Sequence, residues 1–415
     1  MLRLFLSILI IYLFSSFSYS QLEKRSLLGS VIDATTKEPL PFVNVFFANT
    51  SIGASSLTDG SFQIKNIAPG KYDLVASYIG YKPYSIPIDF SDQSSGFTRE
   101  IKIIIELEQE AKELSEIIVK ADTANRARNY RDFIKNFIGE THNAKKCKIL
   151  NPKDIHLYFD PKENTLVAHC KKPIEIENRA LGYKIYYYLY QFEVNFRTGT
   201  LYIFGVPRYE ELTPEGDRQA RVWERERVQA YLGSVNHFMR ALRDSATIEN
   251  GFEVKKVFTV PNINRPSDEF LTRKIRELSK KNKDGMIVFS NNAKDSLSYY
   301  TRLLSQPKER DSIAEKKLTG SEFKRSSTDR IENIKGKYQI VYKEKEEVEY
   351  LPYARRKYTK KQKSLFNFLN QTLTIYANGY YEDVKTLFLE GYLSWHEKMS
   401  NLLPLEYHPM KKQSK

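Results

Sequence analysis

Between residues 27 and 121 apolar and polar positions alternate in short bursts, and a turn signal interrupts them every eight to twelve residues. The bursts are Leu28–Ile32, Phe42–Phe47, Ser61–Ile67, Tyr72–Ser77, Ile86–Phe90, Glu100–Leu107 and Glu116–Val119. Seven short strands at that spacing predict a β-sandwich or barrel of about a hundred residues. The stretch "TDGSFQIKNIAPGKYDLVASYIGYKP" (58–83) carries the pattern most clearly. Gly60 and Gly70 supply permissive turns, and Phe62 and Tyr72, each two residues past a turn glycine, are expected on one inward face. Pro39 and Pro41 cannot donate to a ladder and are placed at an edge or ahead of a strand.

The period changes from 122 to 145, where Ala124, Ala127, Tyr130, Phe133, Ile134, Phe137 and Ile138 recur at three and four. This spacing predicts an amphipathic linker helix that docks on a neighbouring domain. Strand patterns return from 150 to 206 in "DIHLYFD", "TLVAHC", "IEIENRALGYKIYYYLYQFEVNF" and "GTLYIFGVP". One helix is expected over 215–245, with Trp223, Val228, Tyr231, Leu232, Val235, Phe238, Met239 and Leu242 on its apolar face. Strands follow in "FEVKKVFTV", "GMIVFS", "YQIVYKEKEEVEYL" and "LTIYANGYY", with a polar, charged stretch between the second and third and a basic loop at 354–364. The fold class is therefore mainly β with α+β character. A seven-stranded sandwich (22–121) leads through a linker helix (122–148) to a larger α+β domain (149–415).

Two segments carry a resemblance. The N-terminal one is recognised by Gly29 with Val31, Pro41 with Val43 and Val45, Thr58-Asp59-Gly60 with Phe62, Pro69-Gly70 with Tyr72, and Gly80-Tyr81. Together these resemble the carboxypeptidase-regulatory-like domain, a transthyretin-like sandwich grouped with carbohydrate-binding-like folds and common in exported proteins of gram-negative bacteria. The later segments "ENRALGYKIYYYLYQFEVNF", "YLGSVNHFMRAL" and "NGYY…LEGYLSW…LLPLEYHP" resemble an uncharacterised exported family. That second resemblance implies architecture and export and brings no chemistry with it.

Composition sets the setting. Hydrophobic residues make up 41% and charged residues 28%, with 28 Tyr and 24 Phe, a globular balance rich in amphipathic rings. Arg3, the apolar Leu4–Phe14 and the small residues Ser18 and Ser20 describe a cleaved signal peptide over 1–20, with Gln21 as the mature start. No Cys follows the apolar stretch to carry a lipid, and no run of about 18 apolar residues lies beyond it. The expected location is the periplasm or the outer membrane's surroundings. The net charge of +14 favours an anionic envelope component, and export argues against nucleic acid.

Chemistry is sparse. No zinc-protease, nucleophile-elbow, phosphate-loop or calcium-loop motif is present, and neither a cofactor nor a metal centre is expected. Cys147 and Cys170 are open to a disulfide or to two unpaired thiols; a metal site with the nearby His142 and His169 lacks the usual paired spacing. His237 is a lone mid-helix candidate base, more often a structural hydrogen-bonder, and Glu175, Glu177, Asn178 and Arg179 suit a sheet-surface ion pair. Candidate ligand contacts are Tyr78 and Tyr81, the Tyr186 and Tyr188 positions of a sugar-stacking run, and Arg221 with Arg225, an i, i+4 pair able to clamp an anion. In such a run consecutive residues alternate faces, so about half must pack inward. The function expected is non-enzymatic binding of a glycan or an outer-membrane protein partner. The alternative is a hydrolase of cell-wall or polysaccharide bonds using a carboxylate pair.

Overall fold

The computed structural model describes residues 24–91, 98–110, 125–279, 291–354, 358 and 360–409. The expected signal peptide (1–20), the strand expected at Glu116–Val119, the strand "GMIVFS" (285–290) and Arg355, Arg356, Lys357 and Thr359 of the basic loop lie outside the described residues.

The N-terminal unit is a two-sheet sandwich. Its strands are β1 (Lys24–Asp33), β2 (Asn44–Phe47), β3 (Gly53–Ser55), β4 (Ser61–Ile64), β5 (Lys71–Ser77), β6 (Tyr84–Asp89) and β7 (Thr98–Leu107). One sheet runs β4-β1-β7 and the other β3-β2-β5-β6, with β1 and β7 parallel over ten residue pairs. Leu27, Val31, Phe47, Phe62, Tyr72, Leu74, Phe90 and Ile105 fill the space between them, the inward members of each alternating strand. The turn into β4 needs Gly60: its φ is +75°, and a Cβ there would stand 2.6 Å from the Val31 carbonyl. The short β3, too brief for a periodic signal, is an unexpected strand.

Burial on β2 and β5 departs from alternation. Phe46, Ala48 and Val75 point away from the sandwich core, where water is usual, yet all three are buried. The cause is a third sheet packed on that outer face.

That sheet follows a helix, α1 (Arg126–Phe137), whose Phe133 and Phe137 sit in its core. Its strands are β8 (Cys147–Ile149), β9 (His156–Asp160), β10 (Thr165–His169), β11 (Ile174–Asn178), β12 (Tyr183–Asn195) and β13 (Thr200–Glu211). The long β12 pairs along its whole length with β13, and on its other side with β11 and then β10.

The helix expected over 215–245 is two helices, α2 (Asp217–Tyr231) and α3 (Val235–Arg243). Gly233, at φ +83°, leaves the helical region, and the Ser234 hydroxyl caps the second helix by accepting from the His237 N–H. The remaining strands are β14 (Phe252–Pro261), β15 (Glu309–Leu318), β16 (Arg330–Glu332), β17 (Gly336–Glu346), β18 (Lys361–Phe368), β19 (Thr372–Ile375), β20 (Tyr381–Glu382) and β21 (Leu387–Gly391). They form sheets β15-β14-β17-β18-β21 and β16-β19-β20. Helices α4 (Asp268–Leu278) and α5 (Asn291–Leu304) are inserted between β14 and β15. Phe238, Met239 and Leu242 of α3 pack on Phe252, Ile340 and Phe366. No helix among the described residues is long and apolar enough to cross a membrane.

The C-terminal segment straps the units together. Met399 and Ser400 bond back to the end of α1, Leu405 to Asn49 of the sandwich, and Glu406 accepts from both the N–H and the hydroxyl of Ser51. The buried Arg240 holds the strap in place, donating to the carbonyls of Asn378, Leu405 and Tyr407 and to the Tyr231 hydroxyl.

Candidate functional site

The β12–β13 hairpin has two faces, and a bulge separates them. Tyr183, Ile185 and Tyr187 point into the core, and so do Phe192 and Val194. Strict alternation cannot place both Tyr187 and Phe192 inside, because they are five residues apart. The register shifts between Leu189 and Gln191, so Tyr190 is the extra residue and absorbs the difference. On the opposite, outer face stand Lys184, Tyr186 and Tyr188 from β12, with Arg208, Val206, Phe204 and Tyr202 opposite them or continuing the row on β13.

This outer face is divided. One half is covered by the sandwich: Tyr188 stacks on Phe46 with ring centroids 5.2 Å apart, and Ala48 and Val75 close the contact. Backbone bonds from Asn49 to Pro207 and from Tyr209 to Thr50 complete it. Tyr186 lies beneath two cations, with Lys184 at 4.6 Å and Arg208 at 4.5 Å from its ring centre. The other half is open. Tyr190 and Tyr202 are each 39% exposed and Phe388, from β21, is 42% exposed. Tyr190 meets Phe204 at 5.5 Å, Tyr202 meets Phe388 at 6.3 Å, and the Lys385 ammonium lies 4.0 Å from the Phe204 ring centre. The result is a four-ring aromatic strip where all three units converge.

Polar groups border the strip. The Asp73 carboxylate of β5 accepts from the Tyr380 hydroxyl at 3.1 Å, and burial raises its pKa above the ordinary range, with the neighbouring Glu382 adding to the rise. Glu382 is itself paired with Lys71, whose carbonyl accepts from the Asn378 amide. Burial also raises the Tyr190 phenol. The junction thus presents aromatic faces, the Lys385 and Lys71 ammonium groups and two neighbouring carboxyl groups.

The ligand contacts expected from the sequence fall in three separate places. Tyr78 and Tyr81 pack ring to ring at 5.4 Å on the sandwich end, where the Tyr81 hydroxyl donates to Asp33. Asp33 also accepts from the Thr35 and Thr36 N–H groups and from Gln109, and these bonds hold its carboxylate well below the usual range. Beside it lies a shallow depression lined by Ala34, Thr35, Thr36, Glu108 and Gln109. Tyr186 and Tyr188 are on the outer sheet face already described. Arg221 and Arg225 are exposed on α2, with Arg225 paired to the adjacent Glu226.

No disulfide joins Cys147 and Cys170; both thiols are free. Cys147 lies opposite Asn178 at the end of β11, and Cys170 precedes the start of that strand. The four steps of β11 alone span about 13 Å, beyond the roughly 7 Å that a disulfide bridges. His237 is buried, with Nδ1 accepting from the Gly233 N–H and Nε2 against Asn250, and burial lowers its pKa to about 4. Arg179 pairs with Glu177, and Lys184 with Glu175, as surface ion pairs. The open strip rests on Tyr190, Tyr202, Phe204 and Phe388, none of them singled out in the sequence as a ligand contact. Tyr190 belonged to the quoted tyrosine run, whereas the convergence of β13 and β21 on it is tertiary.

Residues 27–119 match the CarboxypepD_reg-like domain family. A TonB-dependent receptor of Formosa agariphila is 32% identical over 114 residues, covering 28% of this chain and 10% of the receptor, so the chain spans about a tenth of that relative's length. Partial likeness is found to the dioxygenase domain of a dioxygenase carbohydrate-binding protein fusion from Streptomyces sp. SirexAA-E, at 18% identity over 22% of this chain and 84% of that one, with a TM-score of 0.18. The group B streptococcus pilus 2b backbone protein is similar at 16% identity over 21% of this chain and 41% of its own, with a TM-score of 0.17. At these scores the solved structures say nothing further about the chain.

Proposed function

We propose that the chain is an exported envelope protein that binds a glycan, without transforming it, on the strip where its three units meet. The observation that carries this reading is the open row of Tyr190, Phe204, Tyr202 and Phe388 with Lys385 beside it. Partly exposed ring faces give broad apolar contact to the faces of sugar rings, and tyrosine hydroxyls supply the polar complement. Lys385 and the overall charge of +14 favour an acidic polysaccharide. The envelope location is supported by the leader-like residues 1–20 and by the receptor that shares the sandwich.

A second reading has one observation in its favour: Asp73, its pKa raised by burial beside Glu382, has the environment of a general acid in a carboxyl pair. Both groups are already committed, Asp73 to Tyr380 and Glu382 to Lys71, which favours the binding reading. Calorimetric titration with neutral and acidic polysaccharides tests the two together. Binding without release of reducing ends, weakened at least about tenfold in a Tyr190→Ala/Tyr202→Ala variant, is the expected result. Reducing ends that vanish with Asp73→Asn would establish the hydrolase instead.

A further inference from the structure

Strands β9 and β10 are antiparallel, and their register sets His169 directly opposite His156. Residues opposite each other in an antiparallel pair share a face, with Cβ atoms about 4.5–5.5 Å apart. That face is the outer one, since the intervening Leu157, Leu166 and Ala168 all point into the core. Both histidines are half-exposed, and among the described residues neither ring is engaged by a hydrogen bond or an ion pair. Two neighbouring imidazoles with free nitrogens on rigid paired strands are a chelate already assembled.

We propose that His156 and His169 form a binding site for a divalent transition metal of the nickel, copper or zinc type. Imidazole nitrogen suits these borderline ions, whereas magnesium and calcium prefer oxygen. The described residues gather no third ligating side chain around the pair, so two protein nitrogens hold the ion and its other positions stay open to water or an incoming donor. The strands fix the separation of the two rings, so little rotational freedom is lost when the ion binds. Among the described residues neither histidine has a carboxylate or carbonyl partner behind it, which makes this an exchangeable site and not a structural one. The site is independent of the aromatic strip, and neither claim depends on the other.

Nickel(II) titration of the full chain by calorimetry tests it, with copper(II) electron paramagnetic resonance reporting how many nitrogens bind. The expected results are one site per chain and a two-nitrogen copper spectrum. A loss of affinity of at least about tenfold is expected in both His156→Gln and His169→Gln, and none in His142→Gln. Nickel should raise the unfolding midpoint of the parent and of the His142 variant while leaving the other two unmoved, so an unstable variant still gives an answer. Equal affinity in the His156 or His169 variant, a one-nitrogen spectrum, or no binding at all would overturn the site.

Discussion

Tyr188 and Phe46 hold the sandwich on the β12–β13 hairpin, and a double-mutant cycle isolates that contact. Phe46 is 1% and Tyr188 9% exposed, with ring planes 26° apart at 5.2 Å. Truncating a buried aromatic to alanine costs about 3–5 kcal/mol. Phe46 stands on the outer face of its own sandwich, so its burial comes from docking, and Phe46→Ala should lie near the lower end, about 3 kcal/mol. Tyr188→Ala should cost a similar amount. An aromatic pair adds about 0.5–1.5 kcal/mol beyond area burial, so the double variant should lose less than the sum of the singles by about that coupling. Urea denaturation of the four chains at constant m-value measures it. Additivity within about 0.3 kcal/mol, or a Phe46→Ala cost below about 1 kcal/mol, would refute a packed interface.

Three further outcomes follow from the same framework. Arg240→Gln leaves three buried carbonyls, those of Asn378, Leu405 and Tyr407, short of a donor. At about 1 kcal/mol or more for each, the loss should be at least about 3 kcal/mol, read as a lower urea midpoint with early proteolysis near residues 400–409. His237 is held neutral down to about pH 4, against 6.5 for the free side chain, so the unfolded chain binds the extra proton between those values. Stability is therefore full above pH 6.5 and falls by about 3 kcal/mol as pH drops to 4; His237→Gln, measured by urea midpoints across that range, should flatten part of this slope. Burial pushes the Cys147 and Cys170 thiols up to about 12 and about 11. At pH 8 the folded Cys170 should alkylate about two-hundredfold more slowly than an unfolded thiol, with the intact mass showing two free thiols.

Much of the sandwich is legible in the sequence because local chemistry dictates it. Glycine turns and period-two alternation place β1, β4 and β5 within a few residues, and Phe62 and Tyr72 do meet in one core. Alternation misleads where a tertiary partner intervenes. Phe46 and Val75 occupy positions that a lone sandwich would leave wet, and nothing local announces the sheet that covers them. The tyrosine run shows both effects: it forms the expected strand, yet the bulge at Tyr190 resets which rings face inward. The break at Gly233 was visible as a glycine followed by a capping serine, but the unbroken apolar stripe on either side masked it. β15 and α5 lie in a stretch whose sequence is polar and charged, because β15 is exposed along most of its length and α5 belongs to an insertion. The site is the least legible part: Tyr190, Tyr202 and Phe204 share one hairpin, but Phe388 arrives from the distant β21 and Asp73 from the sandwich.

The binding claim stands or falls on one titration series: acidic and neutral polysaccharides against the full chain and its Tyr190→Ala/Tyr202→Ala variant, followed by calorimetry. Saturable binding to the parent, stronger for the acidic polymer and reduced at least about tenfold in the variant, is what the open strip predicts. Silence of the parent toward both polymers, or equal affinity in parent and variant, would contradict it.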